Sequence, residues 1–267
     1  MSTKVGFLGA GKMSQALISG FIRSKQLKAA NIWAFSPSKE TQKKLKALKI
    51  NVAKSPEALL KETSVVFLGV KPQVLPGVLF EIKSLLKNHL LVSIAAGFPI
   101  KKIENALSAK TKIIRVMPNT PTLVGAGAAA ICKNNAVSVN EFKAIKILFD
   151  SVGVCISVPE SKIHAVTALS GSGPAFVFRF IQELMINGSK LGLSSLEAST
   201  LALQTVYGSA KLAASAGVDL ETLIAQVSSP NGTTVAGRKK LEDGRLSKVI
   251  FDTLSAAKAR SEELAQN

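Results

Sequence analysis

Residues 4–14 read KVGFLGAGKMS, and the fold turns on them. Val5, Phe7 and Leu8 make a strand-length apolar run, Gly9-Ala10-Gly11 breaks it, and Lys12-Met13-Ser14 opens a stretch of helical periodicity over 12–25. Strand, glycine turn and helix in this order match a dinucleotide-binding turn. Its first glycine permits the tight turn, its second lets a pyrophosphate approach the backbone, and the pyrophosphate rests on the helix N-terminus. Gly9 and Gly11 take these roles, with Ala10, Lys12 and Met13 completing the cofactor-binding turn. Ser14 stands where a third glycine or alanine is usual and is small enough to keep the helix against the strand. Alone, such a pattern is a weak signal; after the first strand of an alternating region it becomes a specific one.

The alternation continues outward from that turn. Apolar runs at 31–35, 64–70, 90–95 and 112–117 are strand-length, and segments such as 38–48 and 72–87 have helical spacing. Short connections between them predict a parallel sheet covered on both faces. Runs at 126–132 and 153–158 flank a helical stretch at 139–150 and extend the sheet. Strand signals end near residue 160. The second half reads as helices only: a capping box at Ser194 and Glu197 opens a long Ala- and Leu-rich segment ending near Gly217, further helices cover 219–227 and 246–265, and Pro174 either kinks a helix or starts one. The expected fold is therefore α/β, a Rossmann-type doubly wound sheet over 1–160 followed by an all-helical domain over 161–267. Helices this apolar and rich in small residues (Ala202, Ala210, Ala213) have difficulty burying all their faces alone, which predicts packing against a second copy of the chain.

Ligands of such sheets bind at the carboxyl ends of the strands. At the end of the second strand an acidic residue would hold the ribose hydroxyl of NAD, but here Ser36-Pro37-Ser38-Lys39 follows Phe35. Ser36 and Lys39 suit a 2′-phosphate, so NADPH is the expected cofactor, with NADH as the other option; a Ser-Pro-Ser turn is also an ordinary helix start. Val70-Lys71-Pro72, Ala95-Ala96-Gly97 and the 116–121 segment around Asn119 fall at the same sheet edge, as ordinary proline-punctuated turns or as walls of a shared cleft.

The 267-residue chain carries 34 Lys and Arg against 17 Asp and Glu, a net charge of +17. The lysines are scattered along polar helix faces and only 5% of residues are aromatic, so a nucleic-acid partner is not expected. A solvated basic surface, or a field that draws small anions to a cleft, fits better. No apolar run reaches the length of a membrane span, and the first strand begins close to the initiator methionine, so a cytoplasmic protein without leader is expected. Cys132 and Cys155 lie in apolar runs without C-x-x-C spacing, and His89 and His164 are isolated; no metal site is expected.

Near the other end, VSSPNGTTVAG at 227–237 resembles a loop built to hold an anion. Ser229, Thr233 and Thr234 supply hydroxyls, Pro230 and Asn231-Gly232 force a tight turn, and a helix N-terminus with free N–H groups follows. A hydroxyl-capped helix start is the plainer reading.

GFLGAGKM at 6–13, VKP at 70–72, AAG at 95–97, RVMPNTP at 115–121, AVTALSGSGPA at 165–175 and SSPNGTTVAG at 228–237 together resemble pyrroline-5-carboxylate reductases, in order along essentially the whole chain. SGSGPA and SPxGTT are more specific to that family than the dinucleotide turn. The resemblance implies a C-terminal dimerisation domain, NAD(P)H-driven reduction of a cyclic imine to L-proline, and homodimers that assemble further into rings such as decamers. It implies that Thr234 hydrogen-bonds the ring nitrogen, that Ser229, Asn231, Gly232 and Thr233 hold the substrate carboxylate, that SGSGPA lines the active site, and that Glu160 lies near the substrate. Two positions depart from the pattern: Asn231 replaces a glycine, and His164 stands where relatives often carry an acid. Other two-domain reductases share the dinucleotide turn but would ordinarily show a catalytic lysine near a glycine-rich motif, a setting that Lys190 and Lys211 lack. A scaffold that binds NADP without turnover is the reading from outside enzymes.

Overall fold

The computed structural model describes residues 3–266. By packing, the chain divides into two compact units, Met1–Ser172 with Ala256–Asn267, and Gly173–Ser255. The first unit is built on an eight-stranded sheet of β1 (Val5–Leu8), β2 (Ile32–Phe35), β3 (Asn51–Val52), β4 (Val65–Leu68), β5 (Leu90–Ser93), β6 (Lys112–Met117), β7 (Gly127–Lys133) and β8 (Gly153–Ser157). Their spatial order is β3-β2-β1-β4-β5-β6-β7-β8, so the chain reverses direction across the sheet between β1 and β4. Ligands of open α/β sheets bind at this kind of switch point.

Strands β1 to β6 are parallel, as the alternating pattern predicts, whereas β7 pairs antiparallel with β6 and β8 pairs parallel with β7. The reason lies in the connection. Residues 118–126 are too few to form the crossover of about a dozen residues that a parallel return needs, so the chain turns straight back. The helix over Val139–Asp150 then supplies a true crossover to β8.

The helices of the first unit are α1 (Lys12–Arg23), α2 (Lys39–Ala47), α3 (Pro56–Glu62), α4 (Leu75–Ile82), α5 (Ile100–Ala106), α6 (Val139–Asp150) and α7 (Ile163–Val166). Successive strand residues point to opposite faces and feed two cores. Phe7, Phe67, Val92 and Ile114 meet α1 and α6 through Leu17, Phe21 and Phe149, while Leu8, Val66, Leu91 and Ile113 meet Leu59, Leu75 and Ile103 on α3, α4 and α5. Phe7 and Phe67 stack at 4.5 Å, and Phe21 meets Phe149 edge-on at 5.8 Å. Each such buried ring contributes about 1.5–3 kcal/mol, so the turn after β1 stands on a rigid platform.

The second unit holds α8 (Gly173–Lys190), α9 (Ser195–Ser215), α10 (Leu220–Gln226), α11 (Thr233–Asp243) and the start of α12 (Leu246–Gln266). α9 opens on the capping box expected at Ser194 and Glu197. α8 packs on α9, yet no residue of α8, α10 or α11 is buried and α9 buries only Ala198 and Ala202. Phe178, Phe180, Leu191 and Tyr207 are more than half exposed. A monomeric soluble domain rarely leaves so much apolar surface open. The last turns of α12 belong instead to the first unit, where Ser261 bonds His164 Nδ1 at 2.9 Å and Leu264 lies over Gly97.

Candidate active site

The turn after β1 has the geometry of a phosphate cradle. Gly9 sits at φ +88°, and a Cβ there would lie 2.7 Å from the Val70 backbone nitrogen, so only glycine fits. Gly11 is the N-cap of α1, with no side-chain cap and no acid in the first turn. The carbonyls of the turn are drawn back into the helix: Ser14 Oγ donates to Gly9 O at 2.7 Å and Gln15 Nε2 donates to Ala10 O at 2.7 Å. The hydroxyl of Ser14, 1% exposed, thus closes the turn while its small side chain keeps α1 against the sheet. A Cβ on Gly11 would meet no atom within 4 Å. Free N–H groups, a positive helix end and open space above Gly11 fit a dinucleotide pyrophosphate.

The end of β2 lies beside this turn, since Gly9 N donates to Phe35 O at 3.1 Å. Ser36 is 6% exposed and its Oγ accepts from Ser38 N, while Ser38 Oγ caps α2 by accepting from Thr41 N. Lys39 is exposed at the first position of α2 and has no carboxylate partner among the described residues. Val70, Lys71 and Pro72 follow β4 and Ala95, Ala96 and Gly97 follow β5, so both loops stand at the same sheet edge as the glycine turn. Gly97 adopts φ +68° beneath Leu264. The stretch 72–87 is helical only over Leu75–Ile82, because Pro72 and Pro76 confine the helix start and the Lys83–Asn88 segment turns back toward β5.

Asn119 is buried, and its side chain joins three segments: Oδ1 accepts from Ala128 N at 2.8 Å and Nδ2 donates to Ser170 O at 3.1 Å. Pro174 explains the second bond, since it lacks the N–H that would otherwise meet the Ser170 carbonyl. Between α7 and α8, Thr167–Gly171 forms a π-helical turn, with Ser172 N bonded to Thr167 O at 2.8 Å, and α8 starts afresh at Gly173 with Pro174 in its first turn. Such turns are frequent at functional sites.

Glu160 has a role that its position in the sequence does not reveal. Its Oε1 accepts from Arg115 Nη1 at 2.8 Å and from Ile100 N at 2.8 Å, so one oxygen ties β6 to the start of α5. Pro99, the N-cap of α5, has no side chain able to cap, and the carboxylate takes that place. Arg115 is 3% exposed and Glu160 34%. Glu160→Gln keeps the acceptor but leaves a buried guanidinium without its counter-charge. The variant is expected to lose about 1–3 kcal/mol in denaturant unfolding, less than the ~3–5 kcal/mol for a fully buried pair because Glu160 reaches solvent. An unchanged midpoint would mean the pair does not hold the loop.

The loop 228–232 lies in the second unit. Gly232 N donates to Ser229 O at 2.9 Å, Asn231 takes φ +57°, and Gly232 is the N-cap of α11. The asparagine thus holds the left-handed turn that a glycine would otherwise supply. No side chain caps α11, and its first turn carries no acid. The expected alternative of a hydroxyl-capped helix is not realised, since glycine occupies the cap and a Cβ there would lie 2.9 Å from Ser229 O. Ser229, Thr233 and Thr234 are exposed, with no hydrogen bond from their hydroxyls among the described residues.

The remaining reactive side chains are engaged elsewhere. His89 Nδ1 accepts from Lys87 N at 3.1 Å, so its Nε2–H donates to Leu60 O at 3.0 Å. Burial pushes the thiols of Cys132 and Cys155 up to about 12, helped by Glu160 beside the first and Asp150 beside the second. They belong to cores on opposite faces of the sheet.

Comparison with known proteins adds length to these local features. The family model described as pyrroline-5-carboxylate reductase dimerisation matches residues 160–264, and one described as NADP oxidoreductase coenzyme F420-dependent matches residues 4–97. The pyrroline-5-carboxylate reductase of Methanosarcina acetivorans is 39% identical over 98% of this chain and 98% of its own, and that of Pseudomonas aeruginosa is 39% identical over 100% and 98%. Among solved structures, Plasmodium falciparum pyrroline carboxylate reductase with NADP bound superposes with a TM-score of 0.89 at 33% identity, covering 98% of both chains. The pyrroline-5-carboxylate reductase of Coxiella burnetii gives 0.94 at 31%, covering 100% of both.

Proposed function

The chain belongs to the pyrroline-5-carboxylate reductase family, and from that premise we propose how its residues divide the work of the reaction. It is an NAD(P)H-dependent oxidoreductase that reduces 1-pyrroline-5-carboxylate to L-proline, the last step of proline biosynthesis. The observation that carries the reading is the pair of glycine-capped helix starts without acids, at Gly11 and Gly232, in a chain related to these reductases from end to end. A dinucleotide and a carboxylate are both anions, and each is given a helix N-terminus.

Bound NADPH supplies the hydride that the imine carbon accepts. Gly9, Ala10, Gly11, Lys12 and Met13 hold its pyrophosphate; Ser36 and Lys39 face the 2′-phosphate; Val70, Lys71, Pro72, Ala95, Ala96 and Gly97 wall the nicotinamide half. Asn119 and Glu160 act as positioning residues, the first through Ser170 and Ala128, the second through Arg115 and Ile100. Backbone N–H groups at Asn231 and Thr233, with the Ser229 hydroxyl, hold the substrate carboxylate at the turn that Gly232 closes through its own bond to Ser229 O, and Thr234 Oγ1 bonds the ring nitrogen. A protonated iminium needs no strong general acid, so orientation and electrostatics suffice. Consumption of NADPH by purified protein with pyrroline-5-carboxylate, followed at the nicotinamide absorbance, tests the reading; no oxidation under saturating substrate would leave a scaffold that binds NADP.

Ser36→Asp is expected to shift preference toward NADH by about 10-fold or more, because a carboxylate repels the 2′-phosphate and can bond a ribose hydroxyl instead. An unchanged NADPH to NADH ratio would show that this turn does not read the phosphate. We place the functional boundary at 160/161, a division supported by the range of the dimerisation match, although packing divides the backbone at 172/173. The match to a dimerisation family model supports an oligomer. A homodimer as the basic unit, with assembly into decamers, is the further proposal; light scattering that returns a single 28.1 kDa particle would overturn both. No helix of the described residues is long and apolar enough to cross a membrane, and a cytoplasmic location fits a biosynthetic reductase.

A further inference from the structure

The dinucleotide turn occupies the carboxyl edge of the parallel strands, but a second concentration of positive charge lies at their opposite edge. There the segments 83–89, leading into β5, and 107–112, leading into β6, enclose a cavity of about 250 Å³. Lys83, Lys87, Lys110 and Lys112 line it together with His89 and Ser108, and no aspartate or glutamate contributes to its wall. Lys112 is paired with Glu141 at 2.8 Å; Lys83, Lys87 and Lys110 are exposed and have no carboxylate partner among the described residues. The wall is held by its own hydrogen bonds. His89 accepts from Lys87 N and reaches Leu60 O, and Ser108 Oγ accepts from Lys110 N at 3.2 Å.

Packing gives no reason to gather like charges around a concavity, because their mutual repulsion opposes folding. A bound oxyanion removes that repulsion. We propose that this cavity binds a di- or triphosphate group, at a site separate from the dinucleotide turn. A single carboxylate would leave most of the positive charge uncompensated, whereas a polyphosphate presents several charges in a row to lysines, which bind phosphates as point charges. The cavity adjoins, at Asn88 and Lys112, a larger chamber of about 560 Å³ lined in part by Val5, Leu27 and Ile145. That chamber could seat the base of a nucleotide whose phosphates lie among the lysines; the same phosphate chemistry could equally come from a free polyphosphate.

Calorimetric titration of the full chain with inorganic triphosphate, at fixed ionic strength and with NADPH saturating, tests the proposal. Binding is expected to persist under NADPH and to weaken at least about 10-fold in a Lys83→Ala, Lys87→Ala, Lys110→Ala variant. A control that removes the same charge elsewhere, Lys43→Ala, Lys46→Ala, Lys49→Ala, is expected to stay within about 2-fold of the parent. Absence of binding once NADPH saturates, or equal weakening in the two variants, would overturn it by assigning the anion to the cofactor turn or to net charge alone. A nucleoside triphosphate binding more than about 10-fold tighter than inorganic triphosphate identifies a nucleotide ligand; equal affinity identifies a free polyphosphate. None of these readouts requires turnover of the imine, so the outcome is independent of the proposed reaction.

Discussion

Gly11→Ala protein is expected to fold with at least the parent's stability and to bind NADPH about 100-fold more weakly, a separation of effects that few single substitutions give. The backbone at Gly11 has φ −67°, which any residue adopts, and the added methyl would meet nothing within 4 Å. In the free protein the change is therefore harmless, and it narrows the unfolded ensemble by about 0.4–1 kcal/mol. The open space above Gly11 is, however, where the pyrophosphate would rest. A methyl there lifts the phosphates from the N–H groups of α1, and losing one or two charge-assisted hydrogen bonds, about 1.5–3 kcal/mol each, accounts for the factor of 100. Gly9→Ala provides the contrast. At φ +88°, with backbone atoms of Gly69 and Val70 under 3 Å from a Cβ, it should lose stability and NADPH affinity together. Thermal unfolding and fluorescence titration of NADPH check both variants. Parent-like NADPH binding by Gly11→Ala would show that the dinucleotide does not lie over this turn.

Thr234→Val is expected to lower kcat on the order of 10- to 1,000-fold while leaving the fold and NADPH binding as they are. Thr234 is exposed in the first turn of α11 and its hydroxyl has no partner among the described residues, so its removal orphans nothing in the protein. On the proposed reading, what disappears is one hydrogen bond to the substrate nitrogen, and a bond that strengthens as hydride arrives is lost mainly from kcat. Ser229→Ala, at the proposed carboxylate contact, should instead raise KM, since such a contact is equal in ground and transition states. Steady-state kinetics with both substrates separates the two. A parent-like kcat for Thr234→Val would reduce this loop to an ordinary helix start.

The strands β1, β2, β4 and β5 are legible in the sequence because both faces of the sheet are covered, which leaves unbroken apolar runs. β3 has only two residues, Asn51 and Val52, and no run to announce it. The direction of β7 escapes for a different reason: 126–132 carries the same pattern whichever way it pairs, and only the shortness of the link from β6 decides. At the site, glycines at 9 and 11 and the loop at 228–234 stand out by composition. The pairing of Glu160 with Arg115 does not, since nothing local links residues 45 positions apart. Nor does the engagement of Asn119, although Pro174 was the available signal, marking a carbonyl at Ser170 in need of another donor. Hydroxyls around residue 230 suggest capping, but the turn places Gly232 at the cap and turns them to solvent.

The loop at Ala95–Gly97 is finished by Leu264, a residue made long after the loop itself. Synthesis at about 5–20 residues per second delivers the sheet long before that helix turn exists, so the nascent sheet waits several seconds with Gly97 uncovered. Ser261 and His164, 97 positions apart, likewise meet only once α12 has been made. The loop at Ala95–Gly97 therefore reaches its final form well after the sheet that carries it, and a chain cut before Leu264 would hold a complete sheet with an unfinished loop.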